Sequence, residues 1–179
     1  QFNVFAKVLR ALEIPFAFRT DNDVSTINIK KEEHWQYSGV NRCYGILNKE
    51  SEKWEHSKTI ITRSDIVKDK RWLKFEKMIN SNGIYMSKID LENDLVNLIE
   101  PYVLKALNKK TAKESIDYLQ YKKALRMQKL VAKLTQVGFE KIYESDFGEP
   151  IKYLIKILSH KTVSVSGLES LVAEKGGDL

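Results

Sequence analysis

The sequence predicts an α/β protein with a partial, mostly parallel sheet and a predominantly helical C-terminal region. Two short apolar runs carry the sheet: Ile14-Pro15-Phe16-Ala17-Phe18 and Gly83-Ile84-Tyr85-Met86. Each follows a helical pattern and gives way to acids, Asp21-Asn22-Asp23 in one case and Asp90-Leu91-Glu92-Asn93-Asp94 in the other. Helical periodicity dominates beyond the second run and is clearest from Glu114 to Val137. Residues 1–100 are expected to form the sheet-bearing part, and 101–179 a helical region packed on it. Two strands are too few for a complete sheet. Gln1 stands in place of Met, inside a helical pattern, so the chain is expected to be a fragment or a processed product with a first strand missing upstream.

Along the chain, residues 2–13 align Phe2, Phe5, Val8, Leu9 and Leu12 on one helical face. A strand is expected over 15–20 and a polar loop over 22–37. Ser38 suits the N-cap of a helix over 38–48 that turns Val40, Tyr44 and Leu47 inward. Thr59-Ile60-Ile61-Thr62 reads as a short strand, and Ser64 or Asp65 as the cap of a helix to about 80. Ser81-Asn82-Gly83 is a turn signal before a buried strand over 83–88. Asp90 suits the cap of a helix to Pro101 or beyond, with helix continuing over 102–113 to the basic loop Asn108-Lys109-Lys110. After the 114–137 helix, Gly138 reads as a stop. Short helices are expected over 139–145, 151–159 and 166–174.

The 179 residues suffice to bury a real core. With 42% hydrophobic and 30% charged residues the composition is that of a soluble globular chain, with no membrane span and no signal peptide. Cys43 is the single cysteine, which excludes an intrachain disulfide. With only His34, His56 and His160 beside it, no zinc pattern arises. A cytoplasmic location is the matching expectation. The net charge of +6 permits a polyanionic partner but fits a lysine-rich solvated surface as well.

In an open α/β sheet, sites form at the carboxyl ends of strands. Carboxylates there supply the hard oxygen donors that Mg²⁺ or Mn²⁺ selects. Asp21 and Asp23 share a face if the chain is extended, with Asn22 turned away; an Asx turn would explain the same residues without any ion. Asp90, Glu92 and Asp94 share a face in extended chain, while helix capping and the positive first turn would account for them otherwise. On a continuous 114–137 helix, Leu119, Met127, Leu130, Leu134 and Val137 fall within about 40 degrees of Lys123, so its amine is expected to meet a buried carboxylate or a bound phosphate, the alternative being that it snorkels along the helix edge to water. Lys122, Arg126, Lys129 and Lys133 form a separate basic flank that could follow a DNA backbone or simply be solvated. Arg19 and Arg42 are candidates to hold a phosphate. Trp35, Trp54 and Trp72 show no stacking pattern and read as structural or rim residues. No glycine-rich phosphate loop is present, so the segment does not itself bind ATP through one.

Leu12 to Asp23, Gly39 to Leu47 (GVNRCYGIL), Gly83 to Leu95 (GIYMSKIDLENDL) and Tyr118 to Leu134 together resemble the Toprim domain, a Rossmann-like fold, of OLD-family nucleases, among them the nuclease subunit of the Gabija anti-phage system. These blocks hold 51 of the 179 residues, in order. The resemblance implies a DNA endonuclease of antiviral defence with a two-metal Mg²⁺ or Mn²⁺ site. Asp21, Asp90 and Lys123 would be catalytic. Asp21, Asp23, Asp90, Glu92 and Asp94 would hold metal, and Arg19, Lys122, Arg126 and Lys129 would contact DNA. It also implies an N-terminal ABC-type ATPase domain through which ATP acts, a homo-oligomer and a helicase-like partner, the other protein of the Gabija system. The family's first-strand glutamate is absent here, so this segment alone is expected to be inactive. The other readings are a topoisomerase or primase chemistry on the same fold, and a non-catalytic oligomerisation module.

Overall fold

A computed structural model describes residues 2–159, and of Phe2 the backbone alone. Helix α1 (Phe2–Ala11) leads into β1 (Phe18–Thr20), which pairs in parallel with β4 (Ile84–Met86) in the register Phe18 to Ile84 and Thr20 to Met86. Between them lie a hairpin of β2 (Ser25–Ile29) and β3 (Glu32–Gln36), then α2 (Ser38–Ile46), a single 3₁₀ turn (Glu50–Glu52), α3 (Arg63–Lys68) and α4 (Trp72–Asn80). Helices α5 (Leu91–Leu107), α6 (Ala112–Gln120), α7 (Lys123–Val131) and α8 (Gln136–Glu144) follow, and α9 covers 149–159. The class is α/β, as expected, with a small parallel pair and a separate antiparallel pair. The helix expected over 166–174 lies outside the described residues.

Both expected strands are present because each is short, apolar and bounded by a turn. Ile84, Tyr85 and Met86 are all buried. Gly83 has φ +72, and a Cβ there would sit 2.9 Å from Phe16 O, so the turn that starts β4 requires glycine. One apolar cluster joins Val40, Cys43 and Ile46 of α2 to Phe75, Ile79 and Ile84. Trp54 and Trp72 both pack on Phe75, the structural role the sequence suggested. A second cluster joins Leu95, Ile99 and Val103 of α5 to Leu119 and Leu130.

The expected loop over 22–37 is instead the β2–β3 hairpin. Its turn, Lys30-Lys31, holds both residues at positive φ (51° and 69°), a geometry usually built from Asn-Gly, so the sequence carries no turn signal. Thr59–Thr62 is not a strand: Ile61 is buried while Ile60 is exposed. The helix expected to 80 is two, α3 and α4, divided at residues 69–71, where Asp69 accepts from the Arg71 backbone and guanidinium. Thr62, not Ser64, caps α3 through a reciprocal capping box with Asp65. Ser38 is the first residue of α2 rather than its cap, and Tyr37 precedes it without a side-chain cap. On α1, Ala6 is buried while Phe5, Val8 and Leu12 are exposed, so the expected apolar face is not turned into the described core. Helix α5 runs through Pro101 by kinking at Ile99. Gly138 lies inside α8, where its N–H takes the Thr135 cap, and does not stop a helix.

The correction with most consequence concerns 114–137. The expected single helix is broken: Tyr121 is extended and Lys122 left-handed (φ 55°, ψ 51°), so α6 ends at Gln120 and α7 starts at Lys123. Lys123 is therefore a helix start, not the centre of an apolar stripe.

Gly39 binds α2 to the loop after β1. Its N–H donates to Asp23 O at 2.9 Å, and an added Cβ would sit 2.6 Å from Asp21 O and 2.7 Å from Asp23 N. Backbone on both sides cannot yield cheaply. Gly39→Ala is expected to lower stability by about 1–3 kcal/mol despite the better helix propensity of alanine, measured by thermal or urea denaturation.

Candidate functional site

Pairing of β1 with β4 sets the loop at 21–24 beside the loop at 87–90. The ladder continues past the strands, with Ser87 N donating to Thr20 O and Asn22 N to Ile89 O. Asn22 is fully buried, and its amide donates to Lys88 O at 3.0 Å and Arg63 O at 3.2 Å, which ties three segments together. Its flanking aspartates therefore point the other way. Asp21 Oδ1 accepts from Leu91 N, the first residue of α5, at 3.1 Å. Asp23 meets the guanidinium groups of Arg42 and Arg63.

Asp90 is the N-cap of α5, as expected, and accepts from Asn93 N at 2.8 Å. It also accepts from the Asn93 amide, from Arg63 at 3.0 Å and from Gln120 at 3.2 Å. Glu92 is 2% exposed, and a carboxylate so buried is costly without a partner. That partner is Lys123, whose Nζ lies 3.1 Å from Glu92 Oε2 and 3.8 Å from Asp21 Oδ2. The amine predicted to find a buried carboxylate finds one. It does so from the first position of α7, half exposed, rather than from within a stripe.

Electrostatics follow from these contacts. Burial alone would lower the Lys123 ammonium, but the Glu92 bond and the charges of Glu92, Asp21 and Asp90 outweigh it and hold the pKa above its ordinary value. Burial alone would raise Asp90; the Asn93 backbone and amide and the Arg63 guanidinium overcome it and hold the carboxyl below its ordinary range. A cleft of about 360 Å³ opens over Asp21, Glu92 and Lys123, with Arg19, Thr20 and Arg42 along its wall.

Asp94 departs from its expected place. Its carboxylate caps the turn before α5 by accepting from Lys88 N and Ile89 N, and it lines a second cavity of about 620 Å³. Burial pushes its pKa up. Arg19 borders both cavities, but its guanidinium donates to Asp146 O and stacks 4.3 Å from the Phe147 ring centre. Lys122 lies off the helix, so the expected continuous basic flank is interrupted, while Arg126 and exposed Lys129 remain on α7. Arg63, Asn93 and Gln120 were missed. Asn93 was visible as the third residue after a cap; Arg63 and Gln120 carry no local signal, since only tertiary folding brings them to Asp90.

The donor chemistry fits a hard divalent cation. Mg²⁺ commonly takes only one or two carboxylates, with water and phosphate completing its shell, and Asp21 and Glu92 open onto one cleft. Among the described residues, no group of three or more His, Cys, Asp or Glu side chains is placed to hold one ion. Arg42, Arg63 and Lys123 here balance the carboxylates. No helix among the described residues is long and apolar enough to cross a membrane.

The fold and site define an α/β chain with an acid–lysine cluster at the ends of its parallel strands. No family model matches it. The chain is similar to endonuclease GajA of Bacillus cereus (strain VD045), with 28% identity over 168 residues that cover 86% of this chain. It spans 28% of the length of that relative.

Asp90→Asn keeps a capping side chain but removes the charge. Because folding lowers the Asp90 pKa, the charge stabilises the fold above the ordinary carboxylate range, and that stability is lost as pH falls through the folded value. The variant is expected to be less stable by on the order of 1–2 kcal/mol at neutral pH, with the difference shrinking on acidification. Denaturation midpoints across pH measure it.

Proposed function

We propose that this chain is part of a DNA endonuclease that hydrolyses phosphodiester bonds with Mg²⁺ or Mn²⁺ and serves in anti-phage defence. The observation that carries it is the approach of Lys123 Nζ to Glu92 and Asp21 at the strand ends. Similarity to an endonuclease over most of the chain supports the same reading. The finer assignment is a Toprim domain of the OLD family. The whole protein would then carry an ABC-type ATPase domain through which ATP regulates cleavage, form a homo-oligomer and act with a helicase-like partner protein, in the cytoplasm.

In this reading DNA lies over the cleft, with the scissile phosphate facing Lys123. Its ammonium, held protonated by the carboxylates around it, faces the charge that gathers on the phosphate oxygens. Asp21, fixed by Leu91 N, and Glu92 are the ligands that face the cleft; Asp23 and Asp90 stand behind them and become available as Arg42 and Arg63 turn to phosphate. These carboxylates would hold two divalent ions, which would supply an activated water and charge stabilisation at the leaving oxygen. Asp94 serves as a capping residue. Arg126 and Lys129 are placed for backbone contacts beside the cleft.

Nicking of supercoiled plasmid by the full-length protein with Mg²⁺ or Mn²⁺ tests the reading. Lys123→Ala and Asp21→Asn are each expected to reduce the rate by at least about 100-fold, on the scale of a lost transition-state partner; Asp21→Asn should melt close to wild type, while Lys123→Ala should also melt lower because it leaves the buried Glu92 carboxylate without its partner. Asp90→Ala should abolish cleavage as well. Wild-type rates in Lys123→Ala would remove the cluster from the chemistry.

A further inference from the structure

The break between α6 and α7 exposes something a continuous helix would not. Tyr121 takes an extended conformation, and its side chain is 60% exposed. It stands two residues before Lys123, so the two backbones are at most roughly 7 Å apart. Arg126, one turn into α7, lays its guanidinium 4.0 Å from the Tyr118 ring centre and 4.6 Å from that of Tyr121. Its Nη1 donates to Tyr118 O at 2.6 Å, which fixes the group in place. Lys109 approaches the Tyr118 ring at 5.1 Å and Lys122 the Tyr121 ring at 5.6 Å. Cations therefore stand close to both rings, Lys109 and Arg126 at Tyr118 and Arg126 and Lys122 at Tyr121. None of these three cations forms an ion pair with a carboxylate among the described residues.

A structural role alone explains this poorly. Cation–π contacts at exposed sites contribute only about 0.5–1 kcal/mol each, and an exposed tyrosine beside two cations that no carboxylate neutralises leaves both aromatic surface and positive charge facing solvent. That combination is what an unpaired nucleotide requires: cations for the backbone and a flat ring for the base. A paired base in a duplex has its faces covered by its neighbours and cannot stack on Tyr121. Resting on the nuclease reading above, we propose that Tyr121 stacks on an unpaired DNA base beside the cleft, with Arg126 and Lys122 on the adjoining phosphates, so that the site takes a single-stranded or locally opened strand in preference to intact duplex.

The test uses the full-length protein and a mixed-sequence DNA oligonucleotide, fluorescein-labelled, either single-stranded or annealed to its complement. Binding is read by anisotropy without divalent cation, so that no cleavage intervenes. Wild type is expected to bind the single strand more tightly than the duplex. Tyr121→Ala should weaken single-strand binding about tenfold, within the range of one base–aromatic stack, and leave duplex binding nearly unchanged. Tyr121→Leu, which keeps apolar volume but has no ring face, should behave like Tyr121→Ala, and Tyr121→Phe like wild type. A 2-aminopurine placed in the single strand should be quenched by wild type and not by Tyr121→Leu. Equal single-strand affinity in wild type, Tyr121→Ala and Tyr121→Leu overturns the proposal. If plasmid nicking persists in those variants, the nuclease reading survives that result. Should the protein neither bind nor nick DNA in any form, both fall.

Discussion

The parallel pairing of three residues of β1 with three of β4 is the constraint on which the site depends. It joins segments more than sixty residues apart, in the register Thr20 to Met86. Past those residues both chains leave the sheet in the same direction, so their polar continuations must meet. The buried Asn22 amide then fixes the meeting by bonding the carbonyls of Lys88 and Arg63. Without that inward anchor, Asp21 and Asp23 would be free to turn with the loop. With it, alternation along the chain sends both of them to the outer side.

Gathering carboxylates costs free energy unless positive charge gathers with them. Here three elements contribute: Arg42 from α2, Arg63 from α3 and Lys123 from α7. Backbone N–H groups share the work. Asp21 and Asp90 both accept from the first turn of α5, where the helix dipole favours anions. The result is an acid cluster balanced by guanidinium, ammonium and backbone N–H groups. Its nearest cations come from elements outside the strand loops. Glu92, at 2% exposure, has little access to water and relies on Lys123.

Legibility in the sequence followed the range of the interactions. Strands β1 and β4, the turn at Gly83 and the Asp90 cap are set by neighbours within a few residues, and they could be read. The convergence of Asp21 with Asp90 and Glu92 could be inferred once two strand ends were recognised. The hairpin could not, because Lys30-Lys31 adopts positive φ without the glycine or asparagine that announces it. Nor could Arg63 or Gln120, whose meeting with Asp90 exists only in three dimensions. Lys123 is instructive because the inference of a carboxylate partner rested on a helix that does not exist there. The apolar residues Leu119 and Leu130 are both buried, as one stripe would have them. They belong to two helices that turn about Tyr121 and Lys122 and still bury the same positions against α5.

That turn has a physical cost. A lysine in the left-handed region is disfavoured by roughly 1–2 kcal/mol, and a lysine at the start of α7 opposes the dipole of the helix it begins. Propensity alone would continue the helix, since Lys, Ala, Leu and Arg are all good helix formers. Two contacts offset the cost: the Lys123–Glu92 pair on one side and the Arg126 bond to Tyr118 O, across the break, on the other. Both bind the end of α6 or the start of α7 to a partner that a straight helix would carry out of reach. The break is therefore coupled to the site. Loss of the Glu92 carboxylate removes the principal reason for Lys123 to stand where it does, and the segment from Tyr121 to Arg126 loses one of the two contacts that hold it bent.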